Sequence, residues 1–417
     1  MERALLHNIL KVYGIGFCHS FQLILPVFVP LLLGKGLTMS EILQTQAIFA
    51  LTVAMFEVPS GYLADVYGRK VSLVLSAVLM LLSYVCLYSA ETFVDFLVFE
   101  IVMGVALSLS SGSDMAMLFD SQLALQKLNK TFKLPASVGK LVALTSLSEG
   151  VAAVVASVLF ISMGSETTFE WLLGLQLLLG LPPLIIVLTL VEPPRTTSNA
   201  GAQDNMRSII GTLLYADRLV LWIAIATVVF GLYAMFAFWT YQRFWELEGI
   251  PLEYFGFLWA VHCVLRGVSA QLATRLEAWV GTRQLMAVVA VMPALAFAGM
   301  VGFSGWSAIA CALIIPVSRG MNAVLLFDAL NSRVDSAFRA TINSLLNLVI
   351  RGVFIIAGPM LGLAMDQLGM DLTLSLLAAS ALPILGFASF MLLRVLRKQQ
   401  TKPSCLPIDA CEARTAE

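Results

Sequence analysis

The chain has 417 residues, of which 59% are hydrophobic and 12% are charged, and its formal net charge is −1. Soluble domains usually carry about 45–50% apolar and about 25% charged residues, and they need a polar surface around the core. The composition therefore excludes a soluble globular protein and predicts an all-α membrane protein embedded in a lipid bilayer. The small net charge gives no indication of a nucleic-acid partner, and we predict none.

Apolar stretches long enough to cross about 30 Å of hydrocarbon recur along the whole chain. The first stretch continues far beyond the length of a signal peptide and has no cleavage site, which indicates a retained helix. The pattern predicts twelve transmembrane helices, at residues 9–33, 41–64, 69–90, 94–122, 137–163, 169–191, 218–243, 252–276, 282–303, 306–330, 338–366 and 371–395.

The basic residues are distributed unequally between the two sides of these spans. With the N-terminus in the cytoplasm, 20 of the 25 Lys and Arg residues fall on the cytoplasmic side, two fall outside, and three lie within spans. Short cytoplasmic loops of membrane proteins carry such an excess of Lys and Arg. We therefore predict a multi-pass protein of the cell inner (plasma) membrane with both termini in the cytoplasm.

A long polar segment near the midpoint, residues 192–217, begins with two prolines after its first residue and is typical of a linker. It predicts an N-terminal six-helix half at residues 1–191 and a C-terminal six-helix half at residues 218–395. Residues 396–417 would form a cytoplasmic tail.

The two predicted halves also resemble each other in sequence. Residues 112–120 of the fourth span match residues 320–328 of the tenth span, at an offset of 208. Residues 149–151 of the fifth span match residues 351–353 of the eleventh span, at an offset of 202. Both matches are in register with the predicted spans, which indicates a duplicated fold of the kind found in many secondary transporters.

Residues 61–70, between the second and third spans, read G-Y-L-A-D-V-Y-G-R-K. This segment resembles the signature G-x-L-A-D-x-x-G-R-[KR] of the major facilitator superfamily, in that family's usual place. A degenerate copy, with Gly281 and Arg283, lies between the eighth and ninth spans. The resemblance implies twelve helices in two pseudosymmetric halves, the major facilitator fold.

The same resemblance implies a gating role for the residues of this segment. The motif residues would latch the two halves together in the outward-open state; they are Gly61, Asp65, Gly68, Arg69 and Lys70. The alternative is that Arg69 and Lys70 serve only as topology charges.

The sequence departs from the family pattern at two places. The fourth span carries Glu100 four residues before Gly104, where the family often has an arginine. The fifth span lacks the Gly-Pro motif of many antiporters, and a similar Gly358-Pro359 pair stands in the eleventh span instead. Export therefore cannot be argued from that marker.

Ionisable residues inside the spans are candidates for the transport site, because a charge in hydrocarbon is costly and usually faces a cavity or a partner. In the first half, Glu100 and Asp114 share one face of the predicted fourth helix, and Glu149 lies about 18 Å into the fifth. In the second half, Arg266 follows His262 by one helical turn.

The tenth and eleventh spans add two more arginines, Arg319 and Arg351. Two interpretations remain open. Either the arginines bind an anionic substrate while Glu100, Asp114 or Glu149 carries protons, or acids and arginines pair internally and hold the halves together. His262 is a weaker candidate, because a buried histidine is more often a satisfied polar group.

The sequence predicts a secondary active transporter that works by alternating access. The segments EVPSGYLAD and SGSDMAMLFD resemble bacterial drug and metabolite exporters, which favours proton-coupled export of a small organic anion, such as a siderophore, or of drugs. The alternatives are a proton-coupled uptake symporter for an organic anion and a non-transporting sensor. No nucleotide-binding, metal-binding or catalytic motif is present, so we predict no enzyme activity, no metal and no cofactor, and a monomer as the functional unit.

Overall fold

The computed structural model describes residues 2–128, 137–194, 218–334 and 339–400. In these ranges the chain is almost entirely helical and contains no strand. Twelve of its helices are long and apolar enough to cross a membrane, which confirms the all-α membrane fold and the predicted number of spans. Most of the predicted linker, residues 195–217, and most of the predicted tail, residues 401–417, lie outside the described residues.

Eight of the twelve helices are continuous. They are α2 (Met39–Tyr67), α3 (Arg69–Tyr88), α5 (Ser137–Met163), α7 (Arg218–Leu247), α8 (Phe255–Val280), α9 (Thr282–Gly302), α11 (Arg339–Leu368) and α12 (Met370–Gln400). The other four are interrupted: α1 (Glu2–Ser20 and Phe28–Gly34), α4 (Phe93–Ser110 and Ser113–Leu128), α6 (Ser165–Leu179 and Leu181–Leu188) and α10 (Gly305–Ala312 and Ile314–Asn331). Residues 396–400, assigned above to the tail, are helical.

The break in α1 leaves backbone groups without helical partners inside the membrane, where such groups need another partner. Two glutamines supply it. The side-chain oxygen of Gln176, on α6, accepts a hydrogen bond from the Leu23 N–H at 2.8 Å. Gln242, on α7, accepts from the Val29 N–H at 2.8 Å and donates to the Leu25 carbonyl at 2.9 Å. Irregular backbone in α1 is therefore satisfied by side chains from both halves of the protein.

The fourth span was predicted as one helix over residues 94–122, and the structure corrects this. The helix stops at Ser110 and restarts at Ser113, and Gly112 between them has a φ of +81°. Glu100 and Asp114 consequently lie on different helical segments. The predicted single face that would carry both residues does not exist.

The turns that follow α2 and α8 show the pseudosymmetry of the halves. Gly68 has a φ of +117° and Gly281 has a φ of +87°, and each is a single residue between two helices. Such angles strain any residue with a Cβ atom, so both turns require glycine. The degenerate copy of the motif thus keeps the geometry of the first copy. Because α2 runs to Tyr67, the predicted loop is reduced to Gly68 alone.

The two halves, α1–α6 and α7–α12, contact each other mainly through two pairs of helices. The helices α5 and α8 pack against each other, as do α2 and α11. We call the end of the bundle where α1 begins and Gly68 lies the basic end, and the other end the opposite end. A large apolar core extends through both halves.

Candidate transport site

A cavity of about 800 Å³ lies between the two halves. Ten of the twelve helices contribute to its lining, and seven of the lining residues are aromatic. The lining residues are His19, Ser20, Gln22, Ile24, Leu25, Phe28, Gln46, Phe49, Met80, Tyr84, Leu87, Phe99, Glu100, Met103, Leu107, Glu149, Gln176, Thr227, Phe230, Gly231, Ala234, Met235, Phe238, Trp239, Arg266, Arg319, Asn322, Ala323, Leu326, Asn347 and Ile350. A cavity of this size accommodates a drug-sized molecule.

An aromatic wall crosses the cavity from one half to the other. The rings of Phe28 and Phe99 lie 6.2 Å apart, and those of Phe28 and Trp239 lie 6.5 Å apart. Phe238 packs edge-on against Trp239 at 5.0 Å. Rings at these distances attract each other, and their faces bind apolar or aromatic ligands. This wall was not among the features predicted from the sequence.

Three charged residues from three helices form what we call the arginine cluster: Glu149, Arg266 and Arg319. Glu149 on α5 and Arg266 on α8 form an ion pair, with 3.0 Å between Oε2 and Nη2. The Glu149 carboxylate also accepts a hydrogen bond from the Trp259 indole N–H at 3.1 Å. This pair joins the two halves across their interface.

Arg319, on α10, differs from Arg266 in having no such partner. It is exposed to the cavity, and among the described residues it has neither an ion pair nor a hydrogen bond. The next residue on α10, Gly320, packs so closely on α8 that an added Cβ atom would overlap the Arg266 carbonyl oxygen, so Arg319 lies beside the Glu149–Arg266 pair. Two arginines and one glutamate leave one positive charge uncompensated in the lining.

Glu100 lies on the other side of the cavity, in the N-terminal half. Its side chain is 4% exposed, and its Oε1 accepts a short hydrogen bond from the Gln46 side-chain amide on α2. Among the described residues no cation pairs with it. We call these two residues the Glu100–Gln46 pair. It places a carboxyl group in the cavity without a neighbouring positive charge.

Two further polar atoms of the lining are buried and have no hydrogen-bond partner among the described residues. They are Nε2 of His19, on α1, and Oδ1 of Asn322, on α10. Asn322 is one helical turn beyond Arg319 on the same face of α10, and it is 5% exposed. Unpartnered buried polar groups are costly, so both atoms are suited to bind a ligand.

Three of the residues predicted for the site lie away from the cavity lining. Asp114 follows the break in α4 and accepts a hydrogen bond from the backbone N–H of Met115. His262 is 4% exposed and stacks on Trp259, with 5.9 Å between the rings. Arg351 is acted on by the charge of Glu57, across the contact between α11 and α2. The structure therefore brings together Glu100, Glu149, Arg266 and Arg319 only.

The residues of the Gly68 turn form a polar cluster at the basic end. Arg69 pairs with Asp65 at 2.5 Å and with Asp120, on α4, at 3.8 Å. Both oxygens of Glu192 accept hydrogen bonds, each at 2.8 Å, from the backbone N–H groups of Arg69 and Lys70. Glu192 therefore caps the first turn of α3, where a negative charge is favourable. Gly61 lies inside α2, one helical turn before Asp65.

At the opposite end, polar contacts and close packing join α11 to α2. The Asp366 carboxylate, on α11, accepts hydrogen bonds from the backbone N–H groups of Met39 at 3.1 Å and Ser40 at 2.7 Å. A Cβ atom on Gly362 would lie only 2.6 Å from the Met39 carbonyl oxygen, so glycine is required for this close approach. We call Asp366 and the start of α2 the opposite-end latch.

The sequence matches the family profile described as Major Facilitator Superfamily over residues 13–359. This match covers most of the chain and agrees with the twelve-helix fold and with the motif at Gly68. The chain belongs to the major facilitator superfamily.

Solved structures show the same major facilitator fold at low sequence identity. The nucleoside transporter NupG aligns with a TM-score of 0.70 at 12% identity, covering 95% of this chain and 100% of its own. A bacterial homologue of the human lysosomal transporter Spinster aligns with a TM-score of 0.67 at 15% identity, covering 95% and 97%. A D-xylose–proton symporter aligns with a TM-score of 0.66 at 14% identity, covering 93% of this chain and 97% of its own. A comparison with curated protein sequences found no match.

Within this major facilitator protein, several polar residues of the cavity and its closure were not predicted as site residues. They are Gln46, Gln176, Gln242, Asn322 and Asp366. Four of them are uncharged amides inside apolar spans. A side-chain amide within a span needs a hydrogen-bond partner there, so its presence in the sequence could have marked it as a candidate site residue. The described residues contain no group of His, Cys, Asp or Glu that could hold a metal ion.

Proposed function

We propose that this major facilitator protein is a proton-coupled secondary transporter of a small organic anion. The observation that supports this most strongly is Arg319. An arginine stays protonated in proteins, and inside a membrane its charge needs an anionic partner. Arg319 faces the cavity and has no such partner among the described residues. A substrate anion would supply the negative charge that Arg319 needs.

The two interpretations left open by the sequence apply, in this proposal, to different arginines. Arg266 is paired with Glu149 and holds α5 against α8, which is the structural role. Arg351, near Glu57 and away from the cavity, acts in the contact between α2 and α11. Arg319 alone is assigned to the substrate.

Glu100 is the proton carrier in this proposal. A buried carboxylate without a cation costs several kcal/mol, and taking up a proton removes that cost. Glu149 is less suited, because Arg266 and Trp259 already compensate its charge. Asp114 is less suited because it does not line the cavity.

The shared cavity favours transport of proton and anion in the same direction. A substrate anion and an ionised Glu100 would repel each other across a medium of low polarity. The anion therefore binds better when Glu100 is protonated, and two ligands that favour each other's binding are carried together. An inward proton gradient would then drive uptake, which the sequence offered as its alternative. The resemblance to drug and metabolite exporters favoured export, whereas the charges of the shared cavity favour uptake.

Alternating access requires that the cavity open to one side at a time. Contacts between the halves at the opposite end include the opposite-end latch and the Gln242 bridge to α1. We infer that this is an inward-facing arrangement, with the basic end in the cytoplasm and the protein in the inner membrane.

Proteoliposomes with a trapped pH indicator test the proposed coupling. Naphthalenesulfonate is a suitable probe because its fixed negative charge prevents it from crossing the bilayer unaided. Adding it outside should acidify the lumen of vesicles that contain the wild-type protein. Arg319→Gln should abolish the signal, whereas Arg243→Gln, which changes an exposed arginine paired with Glu246, should not.

Alkalinisation of the lumen on addition of the probe would instead show exchange, and would restore export as the better proposal. A signal that persists in Arg319→Gln would remove Arg319 from the substrate site. Empty liposomes control for passive leakage.

A further inference from the structure

The charges of the cavity lining limit the charge of the substrate, provided that the proposed anion transport is correct. Two arginines and two glutamates line the cavity. Glu149 neutralises Arg266 at 3.0 Å, and Glu100 is held by an amide rather than by a cation. One positive charge, on Arg319, is left for the substrate.

A second negative charge on the substrate would have no cation to meet in this lining. Placing an unpaired charge in a site of low polarity costs several kcal/mol. Glu100, when ionised, would raise this cost by repulsion. His19 is the other lining side chain that could gain a positive charge, and histidines without an acidic neighbour are largely neutral above about pH 8.

The remainder of the lining indicates the body of the substrate. Seven aromatic side chains line the cavity, against four charged ones. The aromatic wall of Phe28, Phe99 and Trp239 joins α4, where Glu100 follows Phe99, to α7, which packs against α10. A sugar or another strongly hydrated solute would lose hydrogen bonds to water against such a wall, whereas an apolar or aromatic body would gain contact area.

Arg319 and Asn322 are placed to hold the charged group. They lie one turn apart on the same face of α10, and the Asn322 side chain has an unpartnered buried oxygen. The Arg319 guanidinium and the second N–H of Asn322 Nδ2, whose other N–H donates to the Ser318 hydroxyl at 3.4 Å, can donate to an anionic oxygen, and the unpartnered Asn322 Oδ1 can accept from an adjacent N–H or O–H of the substrate. The unpartnered Nε2 of His19, on α1, offers a further hydrogen bond from the N-terminal half.

From these observations we infer that the substrate is a monovalent amphipathic anion. A single carboxylate-like or sulfonate-like group binds at Arg319 and Asn322, and an apolar or aromatic body lies against the wall of Phe28, Phe99 and Trp239. This excludes multiply charged metabolites, including any siderophore with more than one negative charge; a siderophore was the example of an anion predicted from the sequence.

A matched ligand series on the wild-type protein tests this inference without any variant. The series consists of naphthalenesulfonate, naphthalenedisulfonate and uncharged naphthylmethanol, which share one ring system, and citrate, which has charge but no apolar body. Binding is measured by calorimetry on purified protein at about pH 8, where an ordinary histidine is neutral. We expect the monosulfonate to bind at least tenfold more tightly than each of the other three.

Three variants and one control locate the ligand. Arg319→Gln should abolish the preference of the monosulfonate over naphthylmethanol, and Arg319→Lys should retain it, since the charge remains. Trp239→Leu should weaken the binding of naphthylmethanol and of the monosulfonate by a similar factor, because the substitution removes part of the aromatic wall and leaves the charge of Arg319 in place. Arg243→Gln, away from the cavity, should leave all Kd values unchanged.

The possible failures separate this inference from the function on which it rests. Equal or tighter binding of the disulfonate or citrate, still lost in Arg319→Gln, would overturn the single-charge rule and leave anion transport standing. Tightest binding of naphthylmethanol, with no effect of Arg319→Gln, would overturn both. Absence of monosulfonate binding to the wild-type protein would also overturn the inference.

Discussion

The two sides of the cavity handle buried charge in opposite ways. In the N-terminal half, Glu100 is hydrogen-bonded to the neutral amide of Gln46 and has no cation among its described neighbours. In the arginine cluster, Glu149 satisfies Arg266 and leaves Arg319 without a partner. One side can thus be neutralised by a proton and the other by an anion. The difference suggests that each side is completed by its own ligand.

The comparison extends to positions that the internal repeat makes equivalent. Asp114 corresponds to Asn322, and Glu149 corresponds to Arg351. Asn322 and Glu149 line the cavity, whereas Asp114 and Arg351 do not. The duplication has preserved the fold of both halves, while the equivalent side chains have taken different positions and charges. The proposed site is therefore asymmetric although the scaffold is pseudosymmetric.

The largest expected effect comes from breaking the paired side. Glu149→Gln leaves Arg266 with its charge uncompensated, and removing one partner of a buried ion pair typically costs about 3–5 kcal/mol. Because the two side chains are 20% and 23% exposed, we expect about 2–3 kcal/mol here. The measurement is the thermal unfolding midpoint of purified protein in detergent, together with the yield of folded protein.

Two matched variants sharpen this test. Adding Arg266→Met to Glu149→Gln removes both charges and should recover most of the lost stability. Glu100→Gln, on the other side of the cavity, should change the midpoint little because no cation is left unpaired. Similar destabilisation by both Glu→Gln changes would contradict the difference between the two sides.

The number of spans follows from the sequence for a simple physical reason. A helix that crosses the hydrocarbon needs about 20 consecutive apolar residues, and such a stretch can be recognised from the local sequence alone. The breaks within the helices cannot be recognised in this way. The interruption of α1 near Leu25 is stabilised by Gln176 and Gln242, which lie more than 150 residues away in sequence. No local pattern contains that information.

The site was predictable in composition and not in arrangement. The sequence identified Arg266 and Arg319 as two arginines in the middle of apolar helices, and nothing local distinguishes them. Their difference depends on Glu149, which reaches Arg266 and not Arg319 in the packed structure. Asp114 was misplaced because Gly112 interrupts the helix on which its direction was calculated.

A smaller but more specific effect is expected from the unpaired acid. Glu100→Gln keeps the hydrogen bond to Gln46 and removes the proton-binding group. The variant should bind naphthalenesulfonate with a Kd within about threefold of the wild-type value and should exchange it between the two sides of the vesicle. It should fail to concentrate the probe when an inward proton gradient is imposed.

The corresponding control is Asp114→Asn, which changes a membrane-embedded acid that does not line the cavity. It should retain coupled transport. If Glu100→Gln still concentrates the probe while Asp114→Asn does not, the proton carrier has been assigned to the wrong side of the break in α4.

The smallest expected effect concerns the opposite-end latch, which holds the two sides of the cavity together. Asp366→Asn removes a negative charge from the start of α2 and replaces one of the two accepting oxygens by an NH2 group, so that one of two backbone hydrogen bonds is lost, at a cost of about 1 kcal/mol. That shifts the balance between the two open states about fivefold toward the state that opens at the opposite end.

A cysteine at position 323, in the cavity lining of a protein whose six native cysteines have been replaced, reports the shift. An impermeant thiol reagent added outside right-side-out vesicles should label it about fivefold faster in Asp366→Asn, and labelling in inverted vesicles should slow. Asp371→Asn, five residues further along at the same end, should change neither rate. If the latch variant labels faster only in inverted vesicles, the basic end faces outward and the proposed orientation is wrong.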